Sequence, residues 1–253
     1  EVLGQVDWVA AEDTRHSQTL LNHLGIKARL ISCHDHNEAE RSPELVARLR
    51  DGESGALISD AGTPLVSDPG YRLVRACQDA GVAVVPVPGA SALLAALAVS
   101  GQPSDRFLFE GFVPSKGAAR ENALRRLAGL DVTSVIFEAP HRVVSLLESL
   151  AGLVDADREL TLCRELTKRF ETVRRGPVVE LLEWVRGDKD QRRGELVLVL
   201  SPAARGEQLS EQDRALAKAL LAELPVSRAA RILAAHTGLK RQGVYNYLEG
   251  VNS

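Results

Sequence analysis

Methionine is absent from all 253 residues, and cysteine occurs only at Cys33, Cys77 and Cys163. Their odd number, wide spacing and lack of a C-x-x-C pair point away from a disulfide framework or a zinc site and towards packing residues in a reducing compartment. No apolar run reaches the roughly 18 residues of a membrane span, and residues 1–7 carry no signal-peptide pattern, so a cytoplasmic protein with no membrane partner is expected. Without methionine, Glu1 is not an initiator, and further residues are expected ahead of it. A basic excess is missing as well: 31 Lys and Arg face 34 Asp and Glu, a net charge of −3. That argues against a globally basic nucleic-acid binder and leaves local patches to decide. His34 and His36 flank Asp35 with no second ligand pair after them, so no metal is expected.

What is present is an apolar content of 45%, enough at this length for a sizeable core in one large or two medium domains. The most informative stretch is 57–70, where a short apolar run leads into a loop dense in Asp, Gly, Pro, Ser and Thr, with a helical pattern from Tyr71. Strand, stiff glycine-containing loop and helix is the arrangement with which open α/β sheets hold ligands. The loop is neither G-x-G-x-x-G nor a Walker loop, so its ligand is not named by chemistry alone. An ordinary connection, with Asp68 as helix N-cap and Pro69 in the first turn, is the simpler reading of its end.

Strand and helix alternate four times in the first hundred residues, the pattern of a mostly parallel α/β sheet. Strands are expected at 6–11, 28–33, 55–58 and 82–87. Helices are expected from 12–15 to about 24 (capped by Asp13 or Thr14), at 44–50 after a polar loop 34–41, at 71–80, and at 92–99 packed on that sheet. After a turn-rich hinge at 101–104, a strand-richer block has strands near 106–113, 132–137, 159–163, 170–173 and 195–200, with helices near 116–127, 141–150 and 178–185. A polar linker, 203–210, precedes three short helices in which Ala230, Ala234, Gly238 and Val244, supported by Leu233, Leu239 and Leu248, fit a helix-turn-helix pattern. The expected domains are 1–103 and 104–202, both α/β, and a helical tail, 203–253.

Several motifs follow one another with consistent spacing: Ala11-Glu12-Asp13-Thr14-Arg15, Ser59-Asp60-Ala61-Gly62-Thr63-Pro64, Ser67-Asp68-Pro69-Gly70, Pro88-Gly89-Ala90-Ser91, Gly111-Phe112-Val113-Pro114, Phe137-Glu138-Ala139-Pro140-His141-Arg142, Cys163-Arg164-Glu165-Leu166-Thr167-Lys168 and Arg193-Gly194-Glu195. Together they resemble the tetrapyrrole methylase superfamily, and within it the branch that methylates the ribose 2′-hydroxyl of a cytidine in small-subunit (16S) ribosomal RNA. The resemblance implies two α/β domains with a cleft between them, S-adenosylmethionine as cofactor, and a homodimer. It also implies a first strand and a Pro-Ile-Gly-Asn-type loop ahead of Glu1.

By that resemblance the cofactor lies across Asp60, Ala61, Gly62, Thr63, Val66, Ser91, Ala92, Phe112, Ala139, Pro140, Gly194 and Glu195. Taken singly, Ser91 also reads as a helix cap, Phe112 as core and Gly194 as a hairpin turn. Methyl transfer to a hydroxyl needs in-line orientation and either a general base or electrostatic help to the alkoxide. Candidates in the matching motifs are Glu165 and Lys168 first, as base or alkoxide stabiliser, then Asp13 with Arg15, and also Glu12, Glu138 and His141. On a helix, Glu165 and Lys168 would equally pair as i, i+3 surface neighbours.

For RNA, Lys116, Arg120, Arg125 and Arg126 form one basic group, and Lys168, Arg169, Arg174, Arg175, Arg192 and Arg193 another. Among these, with Arg142, the expected contacts are Lys116, Arg120, Arg142, Arg169, Arg174 and Arg175. The tail adds Arg228, Arg231, Lys240 and Arg241. Two other readings stay open: a small-molecule methylase of the same fold, and a DNA-binding regulator whose α/β part senses a ligand.

Overall fold

The computed structural model describes residues 1–203, 209 and 211–252. Two compact units emerge, Glu1–Pro202 and Ala203–Ser253. The boundary expected at 103/104 falls inside the first unit, between its two sheets, and most of the expected linker 203–210 lies outside the described residues. Among the described residues no helix is long and apolar enough to cross a membrane.

The first sheet is parallel, with β1 (Trp8–Ala11) between β2 (Arg29–Ser32) and β3 (Gly55–Ile58). Its helices are α1 (Thr14–His23), α2 (Glu38–Arg50) and α3 (Tyr71–Asp79). Trp8, Ala10, Cys33, Leu45, Leu73 and Cys77 close the core between sheet and helices. Helix α2 starts six residues before the expected 44. Its first residue, Glu38, is buried and accepts a hydrogen bond from Leu73 N at 3.0 Å, while Ser42 Oγ donates to the Glu38 carbonyl at 2.7 Å. Tertiary contact thus recruits a segment whose polarity reads as loop. The strand expected at 82–87 does not form: the segment pairs with no strand among the described residues. Pro86 and Pro88 lack the N–H donors a ladder needs, and Val85 and Val87 stand 78% and 67% exposed.

The second sheet is mixed, in the order β4 (Phe107–Phe112), β5 (Thr133–Glu138), β8 (Leu196–Leu200), β6 (Glu159–Arg164), β7 (Thr172–Pro177). Only β4 and β5 are parallel. Strand β7 begins two residues later than expected and runs four residues further, because an edge strand tolerates outward arginines that read as loop. Strand β8 reads Leu-Val-Leu-Val-Leu and is buried throughout, so its two-residue period feeds two cores. Leu196, Leu198 and Leu200 pack with α5 (Gly117–Gly129), α6 (Val143–Ala151) and α7 (Val178–Gly187). Val197 and Val199 meet Ala96 and Leu97 of α4 (Ala92–Val99). Helix α4 therefore covers the second sheet, not the first as its place in the chain suggests, and it fastens the two halves of the unit together. All three cysteines are free and buried. Burial pushes the Cys33 thiol up to about 11 and the Cys163 thiol up to about 12, which keeps both protonated and inert.

In the second unit, α8 (Glu211–Glu223), α9 (Val226–Thr237) and α10 (Arg241–Asn252) share a core that includes Ala230, Leu233, Val244 and Leu248. Gly238 ends α9 in the left-handed conformation, with φ 71°, and a short turn leads into α10.

Candidate active site

A cleft of about 350 Å³ opens between the carboxyl ends of the first sheet and the second sheet. One wall is the loop after β3. Thr63 Oγ1 donates to the Ala90 carbonyl at 2.9 Å, joining this loop to the turn before α4, and Ser91 caps α4 by accepting from Leu94 N. Asp60 faces away from the cleft: its Oδ1 accepts from Asp13 N at 3.3 Å, tying the loop after β3 to the loop after β1. The remaining eleven of the twelve residues expected around the cofactor line this cleft.

The loop's end differs from the simpler reading. Gly70, not Asp68, is the N-cap of α3, with φ 131°, and an added Cβ there would stand 2.6 Å from Leu57 Cδ2. Any other residue is both strained and sterically blocked at that point. Since Glu38 supplies the acceptor for Leu73 N, Asp68 is released from capping and lies in the cleft wall. Burial, with help from Asp60 and Asp35, raises its pKa, and the nearby Ser59 hydroxyl tempers the rise. Glu12 is raised too, first by burial and then by the charges of Asp68 and Asp60.

The second wall comes from the ends of β4 and β5 and the start of β8. Phe109, Phe137 and Phe112 meet edge to face, with centroids 4.9 and 5.7 Å apart, and Phe112 leaves 55% of its surface open. Glu138 is buried on the cleft; its Oε1 accepts from Ala139 N at 2.8 Å and pairs with Arg142 Nε at 3.0 Å. Its Oε2 is buried with no hydrogen-bond partner among the described residues.

Glu165 and Lys168 lie in a turn rather than on a helix, and Glu165 and Thr167 have positive φ, 50° and 65°. Lys168 Nζ bridges Glu165 Oε1 at 2.9 Å and Glu195 Oε2 at 2.8 Å. Glu165 Oε1 also accepts from Glu195 N at 2.8 Å. The Glu195 N–H, then Lys168, hold the Glu165 carboxyl below its usual range, and the two carboxylates, Glu195 first, push the Lys168 ammonium up. Gly194 has φ 77°, and its Cβ would sit 2.4 Å from Glu165 Cδ. Among the described residues the four non-glycine residues with positive φ, Leu65, Ser67, Glu165 and Thr167, all belong to these two loops.

The other expected residues are placed as follows. Asp13 caps α1, accepting from Arg15 N at 2.8 Å, and the Arg15 side chain is 93% exposed. Arg142 is built into the fold, donating to the Val113 and Pro114 carbonyls. Arg120 donates to Ser145 Oγ at 3.1 Å, Arg175 pairs with Glu159 at 2.6 Å, and Arg174 and Arg169 lie over the rings of Trp184 and Phe170. Glu138, a catalytic candidate from the sequence, lines the cleft, and cleft residues that sequence reasoning missed include Asp68 and the inward valine Val197. Asp68 stood in a quoted motif, and Val197 follows the two-residue period of β8.

A family model of tetrapyrrole (corrin/porphyrin) methylases matches residues 1–182. The chain belongs to the tetrapyrrole methylase family. A second model, the RsmI C-terminal HTH domain, matches 207–249 of this methylase. Ribosomal RNA small subunit methyltransferase I of Escherichia coli O157:H7 is 46% identical, covering 98% of this chain and 87% of its own. The protein of the same name from Pseudomonas aeruginosa PAO1 is 47% identical over 96% of this chain and 88% of its own. Among solved structures, the methyltransferase CobJ aligns with a TM-score of 0.57 at 19% identity, over 80% of this chain and 85% of that one. Cobalt precorrin-4 methyltransferase CbiF gives 0.53 at 19%, over 78% and 85%. These two share the fold. This methylase is an enzyme, and its family implies a methyl donor.

Proposed function

We propose that this methylase transfers a methyl group from S-adenosylmethionine to the ribose 2′-hydroxyl of a cytidine in 16S ribosomal RNA, acting as a cytoplasmic homodimer. The observation that carries the cofactor assignment is the apolar cleft with an orphaned carboxylate oxygen, Glu138 Oε2, buried in its wall. An amphipathic cation with hydrogen-bond donors fits such a wall, since a buried acceptor without a partner is costly until a ligand satisfies it. The RNA assignment rests on the names of relatives that span nearly the whole chain. When bound, the donor supplies an electrophilic methyl group. We read 1–103 and 104–202 as the two lobes that present cofactor and ribose to each other, with 203–253 as an appended helical module.

Asp68, a cleft carboxylate with a raised pKa, accepts the hydroxyl proton. Lys168, kept cationic by two carboxylates, stabilises the developing alkoxide and is unsuited to act as a base. Glu165 is a positioning residue, its Oε1 held by both the Glu195 N–H and Lys168. Asp13 shapes the loop after β1, and the exposed Arg15 reaches for RNA. Incubating the protein with labelled S-adenosylmethionine and unmodified small ribosomal subunits, then mapping ribose methylation by mass spectrometry, is expected to find one labelled cytidine. Labelling of tetrapyrroles alone would overturn the RNA assignment. Sedimentation at micromolar concentration tests the dimer.

A further inference from the structure

Most of the arginines that look suited to RNA are occupied. Arg142 and Arg120 hold backbone and side-chain oxygens, and Arg126 and Arg175 are paired with Glu110 and Glu159. A groove between α5 and α6 contains Arg120 and Arg125 but also Glu121 and Glu148, so its charges balance. A different cavity, of about 430 Å³, has another character. Its walls are Pro140, His141 and Val144 on one side and Lys189, Arg192 and Arg193 on the other, with no carboxylate among the residues that line it.

The basic side is a single 3-10 turn, Lys189–Arg192, and the fold holds it rigidly. Gln191 at its centre is buried; it accepts from Arg164 Nε at 3.1 Å and donates to Asp188 Oδ2 at 2.8 Å. The other oxygen of Asp188 accepts from Asp190 N, and Asp190 pairs with Arg193 at 3.1 Å. The nearby acids are thereby committed to the turn itself. Among the described residues, the side chains of Lys189 and Arg192 form no ion pair or hydrogen bond. Two cations in no ion pair, of which only Arg192 feels the charge of Asp188, with His141 opposite, constitute an anion site.

Its position relates it to the reaction. Pro140 lines both this cavity and the cleft, and Arg193 directly precedes Gly194 of the cleft wall. We propose that the cavity between His141 and the Lys189–Arg192 turn binds a backbone phosphate of the RNA strand next to the methylated nucleotide. This rests on the RNA reading above and adds to it the site that fixes the strand's register. Phosphate contacts of this kind position a strand without reading its bases.

The test is steady-state methyl transfer to small ribosomal subunits by K189Q, R192Q and the double variant, with K189R as the charge-retaining control and R75Q, in a surface pair with Asp79, as a distant one. The double variant is expected to raise KM for the subunit about tenfold or more. Its kcat at saturating subunit and its affinity for S-adenosylmethionine should stay at the wild-type values, which also verifies folding. The slope of log binding constant against log salt should shrink by about 0.7 to 0.9 per lost phosphate contact. K189R and R75Q should match wild type. A double variant with wild-type KM and salt slope would overturn the site while leaving the function standing. Wild-type protein that binds the cofactor yet methylates no subunit would overturn the function and this site together.

Discussion

The two walls of the cleft handle charge in opposite ways. On the wall after β3, Asp68 is crowded by burial and by like charges, as is Glu12 in the adjoining loop after β1, and both pKa values are raised. Behind the facing wall, which Glu195 lines, Lys168 pairs with both Glu165 and Glu195, so the carboxylate of Glu165 is stabilised and the ammonium of Lys168 is too. Both walls contain left-handed non-glycine residues. In the first, like charges crowd one another; in the Glu165–Lys168–Glu195 cluster, opposite charges pair. The difference separates chemistry from shape: crowded like charges raise a carboxyl towards proton transfer, and a paired cluster fixes where the substrate sits.

The broadest effect, on activity and stability together, is expected from breaking the shaped wall. Gly194→Ala forces a Cβ to within 2.4 Å of Glu165 Cδ at a φ of 77°. Glu165 and the β8 turn cannot both stay in place, so methyl transfer should fall about 100-fold or more through misplacement alone. Stability should drop by about 1 to 2 kcal/mol from the left-handed alanine. Single-turnover kinetics and thermal unfolding read the two losses, which should occur together.

Asp68→Asn probes the other wall and should separate those readouts. Removing a general base costs about 100- to 10,000-fold in kcat. The sign of the stability change is opposite. A carboxyl whose folded pKa is raised contributes stability below its unfolded pKa and loses that contribution as pH rises through the folded pKa. At neutral pH the buried charge of Asp68 is therefore a cost, and asparagine should leave the protein equally or more stable. In the wild type, kcat should rise with pH through a group above the usual carboxylate range, and D68N should lose that limb. Equal falls in activity and stability in D68N would remove the distinction between the walls.

The frame that carries this contrast was already visible in the sequence, because fold-level signals are periodic. The alternation in β8 and the strand–loop–helix order around 57–70 are local patterns, and they match what forms. What escaped depends on distant partners. Asp68 reads as a cap until Glu38, 30 residues earlier, is seen to bond Leu73 N (|i−j| 35) and Gly70 to take the cap position. Glu165 and Lys168 read as helix neighbours until β8 brings Glu195 between them. The segment 82–87 carries strand propensity, yet a strand exists only through its ladder, and this one has none among the described residues. Basic residues were legible as a set, but which of them remain unpaired is a tertiary property.

The smallest effect, and the finest test of the paired wall, is the pH response of its stability in Lys168→Met. Lys168 is 45% exposed, so at neutral pH its loss should cost less than about 1 kcal/mol. The pair's two partners act over different pH ranges. Glu165, with a lowered pKa, contributes above its unfolded pKa and ceases to contribute as pH falls through the folded one. Lys168, with a raised pKa, contributes below its unfolded pKa and ceases to contribute as pH rises through the folded one. Wild-type stability should thus decline at both ends of a broad plateau. The main cause of the Glu165 shift is the Glu195 N–H, which methionine at 168 leaves intact, so K168M should keep most of the acid decline and lose the alkaline one. If both declines vanished together, the ammonium rather than the backbone would be what anchors Glu165, and the β8 turn would owe its shape to charge instead of to the peptide bond it presents.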